Sequence, residues 1–330
     1  MTASTTYRLD ELRKEARMGA AGSETTARPV PVIDLSDFEM RRAEITDQLW
    51  AAATEVGFFQ LSHHGIPLAQ VREAFALSER FFALPRETKA QWPIARNAGW
   101  ESLSQVRPST GVPDQKESYQ MTRPRMAGLY PSEADLPGFK AAMQAFEDAS
   151  WAVGMRVLSC FADRLGLERD FFSRVHDRAQ ATYQSTLRLL HYYPIPADVQ
   201  DRLDYVRGGA HTDFNCLTLL FQREGQGGLQ VCPGKEFEAQ AWTAVPPDET
   251  LITCNIGDML MRWSDDRLLS NFHRVRNPLP GEYMGGRYSI AFFCQANTDA
   301  VIASPSGKYP SITAGDYLAE RMRANYQKKY

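Results

Sequence analysis

The chain reads as a mainly β protein, a jelly roll braced by helices, and three observations predict this. Helical periodicity dominates the first 180 residues. From Thr182 onward the pattern changes to short strands with turn signals between them. The 330 residues, 43% of them hydrophobic and 23% charged, are enough to bury a sizeable core.

Residues 1–29 read as an arm and linker. Leu9, Leu12 and Ala16 are spaced for one face of a short amphipathic helix, and 19–29 (GAAGSETTARP) has linker composition. Residues 30–180 form a helical N-terminal region. It opens on a β-branched strand, Val30-Pro-Val-Ile-Asp-Leu. A helix follows from Ser36 to Val56 with Ile45, Leu49, Ala52 and Ala53 on its apolar face, then a strand at Gly57-Phe-Phe-Gln-Leu and a helix over 68–83. Residues 93–138 carry Gly, Pro and Ser throughout and read as irregular, the character of a binding loop. Helices resume over 137–166 and 168–177.

Strands are predicted at 184–192, 211–221, 227–232, 250–254, 258–262, 270–276 and 287–295, within a catalytic core spanning 181–300. Residues 301–330 close the chain, with a helix from Thr313 as a lid. The expected organisation is one structural unit from 30 to 330.

The net charge of −3 and a pI near 6.1 argue against a nucleic-acid partner. No apolar run approaches the ~20 residues that span a bilayer, and the charged first 30 residues lack the apolar stretch of a signal peptide. Five cysteines, an odd number without a CxxC pair, read as reduced thiols in a cytoplasmic protein. The expected assembly is a monomer or small homo-oligomer.

His211-Thr-Asp213 is the most informative motif. On a strand, residues i and i+2 share a face, so His211 and Asp213 can approach one ion from the same side. An isolated HxD is more often a turn or a surface pair. Here Gly208-Gly209 precede it, a β-rich run follows, and His273 lies sixty positions on, able to close the triad from a neighbouring strand. Two histidines and one carboxylate with open positions are the ligand set of non-haem Fe(II) oxygenases. Arg287 and Ser289 share a face in the same way. A guanidinium fork suits a carboxylate, and the hydroxyl adds a hydrogen bond to it.

Together these segments resemble the iron- and 2-oxoglutarate-dependent dioxygenases, in the branch similar to isopenicillin N synthase. The resemblance rests on Pro31-Val-Ile-Asp-Leu, Val56-Gly-Phe-Phe-Gln-Leu, His63-His-Gly-Ile-Pro, Phe81-Phe-Ala-Leu-Pro, Asp114-Gln-Lys-Glu117 and Arg188-Leu-Leu-His-Tyr-Tyr-Pro194, followed by the HxD, the distal histidine and the RxS. It covers most of residues 30–325. It implies a distorted double-stranded β-helix and an enzyme using Fe(II), 2-oxoglutarate and O2 to hydroxylate, desaturate or cyclise a small molecule. By position, His211, Asp213 and His273 would ligate iron. Arg287 and Ser289 would hold the distal carboxylate of 2-oxoglutarate, with Tyr193 assisting. The intact Asp213 disfavours halogenation, for which related enzymes carry Gly or Ala there. Arg287 follows His273 by 14 positions where the family has about ten, so residues 277–286 are expected to form a longer hairpin loop. His191 stands where relatives carry Asn.

Alternation from Arg287 puts Ala291, Phe293 and Gln295 on the cavity face; alternation from Asp213 adds Asn215. Phe293, Asn215 and Phe214 are the expected substrate contacts, with Trp100 and Tyr119 as further aromatic candidates. The loop around 96–123 and the C-terminal helix are expected to cover the site. Two rival readings stand: a 2-oxoglutarate-independent Fe(II) oxidase of the isopenicillin N synthase type, and a non-catalytic metal- or small-molecule-binding protein on the same scaffold.

Overall fold

A computed structural model describes residues 10–18, 29–107, 110–199, 202 and 205–325. Leu9, the side chains of Leu12 and Ala16, and residues 19–28 of the linker predicted over 19–29 lie outside the described residues. Helix α1 (Asp10–Arg17) instead buries acids: Glu11 meets the Arg262 guanidinium at 2.8 Å, and Glu15, fully buried, lies 3.6 Å from that of Arg321. Cationic partners are what make such burial tolerable.

Strand β1 (Val32–Asp34), helix α2 (Phe38–Glu55), strand β2 (Phe58–Ser62) and helix α3 (Leu68–Phe82) follow the predicted order. Ile45, Leu49, Ala52 and Ala53 are buried on α2, as their spacing requires. After the single turn α4 (Arg86–Lys89) the chain enters the stretch read as irregular, yet it forms strands β3 (Gly99–Ser102) and β4 (Lys116–Met121). The sequence of β4 hides its strand because one face carries Lys116, Ser118 and Gln120 and the other Glu117, Tyr119 and Met121, so no apolar alternation marks it.

Helices α5 (Phe139–Leu165) and α6 (Phe171–Val175) lead into the strand-rich half. It comprises β5 (Thr186–Tyr192), β6 (Gly208–His211), β7 (Leu217–Gln222), β8 (Leu229–Cys232), β9 (Thr243–Ala244) and β10 (Ile252–Ile256). Then come helix α7 (Asp258–Trp263), β11 (Phe272–Val275), β12 (Arg287–Cys294), β13 (Val301–Ile302), β14 (Ile312–Thr313) and helix α8 (Ala314–Asn325). Residues 258–262, predicted as a strand, are helical in α7. A short apolar run fits a buried helix as well as a strand, and here every residue of the turn is buried. Thr313 caps α8 reciprocally: its hydroxyl accepts from the Asp316 N–H at 3.1 Å and donates to the Asp316 carboxylate at 2.7 Å.

The strands form an eight-stranded sheet, β1-β2-β10-β7-β12-β5-β4-β3, a four-stranded sheet, β6-β11-β8-β9, and a separate β13-β14 pair. The first two share buried clusters, in which Leu190, Tyr192 and Ala291 of the large sheet meet Val275 of the small one. This is the predicted jelly-roll sandwich. Helix α5 backs the large sheet closely at Gly154, where a Cβ would fall 2.5 Å from the Cys294 sulfur. The segment 277–286 is not a hairpin. It joins β11 in the small sheet to β12 in the large one, and Arg276–Glu282 and Asn277–Tyr205 contacts pin it.

Candidate metal and co-substrate centre

Strand β6 ends at His211, which pairs directly across the ladder with His273 of β11; the imidazole centroids are 4.3 Å apart. Asp213 lies not on the strand, as i,i+2 alternation suggested, but in the turn beyond it. The large sheet fixes its side chain. Thr218 of β7 and Asn255 of β10 both donate to Asp213 Oδ2, at 2.6 and 2.8 Å. Asp213 Oδ1 therefore faces the histidines, 4.0 Å from His211 Nε2 and 3.7 Å from His273 Nε2.

Each imidazole turns Nδ1 to a main-chain carbonyl, His211 to Gly209 at 2.8 Å and His273 to Asn271 at 3.5 Å. The Nδ1 proton is thereby placed, and Nε2 points inward with its lone pair. Burial, reinforced by the charges of Arg107 and His273, holds His211 well below the usual histidine range; burial also lowers His273. The residues thus offer two neutral nitrogen donors and one carboxylate oxygen, all within 4.8 Å of one another. Two metal–ligand bonds of about 2.1 Å span up to about 4.2 Å, so the carboxylate and either imidazole can share one ion. The donor set fits Fe(II) with positions left open.

Arg287 and Ser289 line the same cavity. The guanidinium is 1% exposed; its Nε donates to the Gln226 and Gly227 carbonyls, both at 3.1 Å, and Nη1 donates to the Ser289 hydroxyl at 3.2 Å. Burial draws its pKa down from the ordinary value. A second buried guanidinium, Arg207, is pulled down to about 10 by burial and by the neighbouring charge of Arg287. The buried Arg287 guanidinium beside the Ser289 hydroxyl makes this end of the cavity a place for an anion.

Tyr193 does not reach it. Its hydroxyl pairs with Ser102 at 2.8 Å, whereas Tyr192 faces the cavity and stands opposite Arg287 in the β5–β12 register. The Arg287 guanidinium lies 4.9 Å from the Tyr192 ring centre. Adjacency to Pro194 points to Tyr193; alternation along Thr186, Arg188, Leu190 and Tyr192, all of which line the cavity, puts Tyr192 there instead. The same alternation puts His191 on the opposite face, stacked on Tyr288 with centroids 4.5 Å apart and bonded to Glu117 at 2.9 Å. The predicted outcome for Tyr192→Phe is a several-fold rise in the KM for 2-oxoglutarate; Tyr193→Phe leaves that KM within about twofold. Steady-state kinetics on both variants checks this.

Phe293 and Phe214 line the cavity, as do Ala291 and Gln295. Asn215 does not. It is fully buried behind the carboxylate, donating to Thr218 at 2.8 Å, and so orients the hydroxyl that holds Asp213. Tyr119 is buried in the main core, and Trp100 donates to Glu117. Replacing Thr218 with Val removes one of the two donors on Asp213 at nearly constant volume. We expect Fe(II) affinity to fall about 10–100-fold with the fold retained, as read by metal titration and thermal melting.

Sequence reading missed the polar cluster beside His211. Asp114, 1% exposed, accepts from the Gly209 N–H at 2.8 Å and so anchors β6 next to the ligand. The other oxygen of Asp114 accepts from Arg107 at 3.1 Å and Lys116 at 2.8 Å, and both cations line the cavity. Above the site, Leu318 and Met322 of α8 complete the wall, and Arg321 donates to Thr212 at 3.0 Å with its guanidinium 4.4 Å from the Phe214 ring centre.

Comparison with known proteins bears on this arrangement. Residues 30–136 match the family model described as non-haem dioxygenase in morphine synthesis N-terminal, and residues 184–296 match that of the 2OG-Fe(II) oxygenase superfamily. The chain is 34% identical to proline hydroxylase buaE of Petromyces alliaceus, over 89% of this chain and 98% of that one. It is 32% identical to the 2-oxoglutarate-Fe(II) type oxidoreductase hxnY of Emericella nidulans, over 90% of each. The crystal structure of a full-length Neurospora crassa protein in complex with alpha-KG and thymine superposes with a TM-score of 0.78 at 32% identity, covering 90% of this chain and 97% of that one.

Proposed function

The chain belongs to the 2OG-Fe(II) oxygenase superfamily, and on that premise we propose that His211, Asp213 and His273 hold the iron while Arg287 and Ser289, with Tyr192, hold the distal carboxylate of 2-oxoglutarate. The protein is an Fe(II)- and 2-oxoglutarate-dependent oxygenase with a double-stranded β-helix fold, acting on small molecules. One observation carries the residue assignment. The inward atoms of the triad and the buried Arg287–Ser289 pair line one cavity, from opposite sheets.

Bound iron supplies O2 chemistry that amino-acid side chains cannot. The overall change converts 2-oxoglutarate, O2 and a substrate C–H into succinate, CO2 and a C–OH. The chain's own residues do the positioning. Thr218 and Asn255 fix the carboxylate rotamer, Gly209 and Asn271 fix the imidazole tautomers, and Arg287 sets the depth to which the organic acid enters. Leu318 and Met322 of α8, with Gln105 and Arg107 of the loop before β4, line the cavity and would cover the bound ligands against water.

The proposed outcome is hydroxylation of a small ring compound. Support comes from the relatives, one a proline hydroxylase and one crystallised with thymine. We also propose a cytoplasmic setting: all five cysteines are buried free thiols, the form a reducing compartment maintains. The test is stoichiometry. With Fe(II), 2-oxoglutarate and an oxidisable ring compound, succinate should appear in equimolar amount to the O2 consumed. Substrate-dependent O2 uptake without succinate would contradict the assignment of Arg287 to 2-oxoglutarate.

A further inference from the structure

Three strands of the large sheet form rows across the cavity floor. Arg287, Tyr192 and Lys116 are register partners in one row, and Ala291, Arg188 and Gln120 form another, four residues further along. Four strand residues span about 13 Å, so the second row serves a different molecule from the first. Beyond it, Phe293 pairs with Thr186.

One polar atom of this row, and one just beyond it, lack a hydrogen-bond partner among the described residues. Arg188 Nε is buried without a hydrogen-bond partner among the described residues, and its guanidinium lies 5.2 Å from the Phe293 ring centre. Gln295 Oε1 is likewise buried and unpartnered. Both side chains line the cavity, as does the Phe293 ring. An orphaned donor and an orphaned acceptor in a buried site each carry a desolvation penalty that a polar ligand would relieve.

The local charge balance decides what kind of ligand. Glu101 is buried behind the row and accepts from Gln105 at 2.6 Å, Ser118 at 2.9 Å and Gln120 at 3.0 Å. Burial pushes its carboxyl up, but the Arg188 charge and the serine hydrogen bonds outweigh that and leave it below the usual range. A buried carboxylate thus already stands beside this row, bonded to Gln120, the register partner of Arg188, so the row suits a neutral ligand better than a second anion. What remains unsatisfied is one donor and one acceptor beside an aromatic face.

We propose that Arg188 and Gln295 are the specificity-determining residues for a neutral ring amide, a lactam or imide, whose carbonyl accepts from Arg188, whose N–H donates to Gln295 and whose flat face lies on Phe293. This deepens the oxygenase reading of the site and rests on it. The ring's oxidisable C–H then points away from the floor towards the triad on the facing sheet.

The test uses the full chain with Fe(II) and 2-oxoglutarate under anaerobic conditions, reading the visible band of the metal–2-oxoglutarate complex. 2-Pyrrolidinone, succinimide and uracil are the ring-amide probes; proline and cyclopentanecarboxylate are the carboxylate controls. Expected is a shift of the band by at least one ring amide and by neither carboxylate. Arg188→Met should weaken that response about 10–100-fold, and Gln295→Leu about tenfold, with the unshifted band still forming at the same 2-oxoglutarate concentration. A response to carboxylates alone, no response to any ring amide, or an undiminished response in both variants would overturn the proposal. Absence of the band in the unmodified protein would instead contradict the underlying oxygenase assignment, so the two failures are distinguishable.

Discussion

We expect His211→Ala to abolish turnover and Fe(II) binding while leaving the protein folded. The side chain is one of only three donors, and its Nε2 faces Asp213 Oδ1 and the neighbouring imidazole. Removing a supporting residue around a metal costs about 10–100-fold in affinity; removing a ligand from an already open site exceeds that. The fold persists because strand β6 is held independently, by the Asp114 carboxylate on the Gly209 N–H and by pairing with β11. Metal analysis after dialysis and a thermal melt check both halves of the expectation. The melting temperature should stay within about 5 °C of the unmodified protein. Activity that survives with only the 2-oxoglutarate KM altered would remove His211 from the metal and place it with the co-substrate.

Arg287→Ala is expected to raise the KM for 2-oxoglutarate by roughly 150- to 4,000-fold. Breaking a buried charge pair by deleting one partner costs about 3–5 kcal/mol, which is that factor in affinity. Nothing nearby substitutes well. Arg207 is spent on the Gly285 carbonyl at 2.7 Å, and Lys116 on Asp114 at 2.8 Å. Arg287→Lys recovers little, since an ammonium cannot reproduce the fork that reaches the Ser289 hydroxyl and the Gln226 and Gly227 carbonyls together. Fe(II) affinity should be nearly unchanged in both variants, because Arg287 stands on β12 of the opposite sheet from the histidines. Steady-state kinetics at varied 2-oxoglutarate, alongside metal titration, separates the two effects.

The helical half of the fold was legible because α2, α3 and α5 each bury an apolar stripe at helical spacing. The motif-bearing strands were legible for a different reason: His273 and the RxS pair sit on β11 and β12 in the order their chemistry requires. What escaped was polar structure. Strand β4 carries Lys116, Ser118 and Gln120 towards the cavity, so the pattern that marks a half-buried strand is absent. Helix α7 escaped for the opposite reason, being buried on all sides.

At the site, residue types were read well and faces less well. Tyr192 and Tyr193 differ by one position, but β5 ends at Tyr192, which lines the cavity, while Tyr193 beyond it turns to Ser102. Asn215 was placed by extending strand alternation through Asp213, but the strand ends at His211 and the turn sends Asn215 behind the carboxylate. The cluster of Asp114, Arg107 and Lys116 joins a loop to two strands, and no local pattern announces contacts of that kind.

On the proposed assignment, one cavity holds Fe(II) on the triad and 2-oxoglutarate on Arg287 and Ser289 at the same time. The most direct measurement is anaerobic absorption spectroscopy. Fe(II) added to the purified protein should give no visible band, 2-oxoglutarate added next should produce a weak one, and Arg287→Ala should require a far higher 2-oxoglutarate concentration to produce it. A protein that binds Fe(II) by metal analysis but develops no band at saturating 2-oxoglutarate would contradict the account.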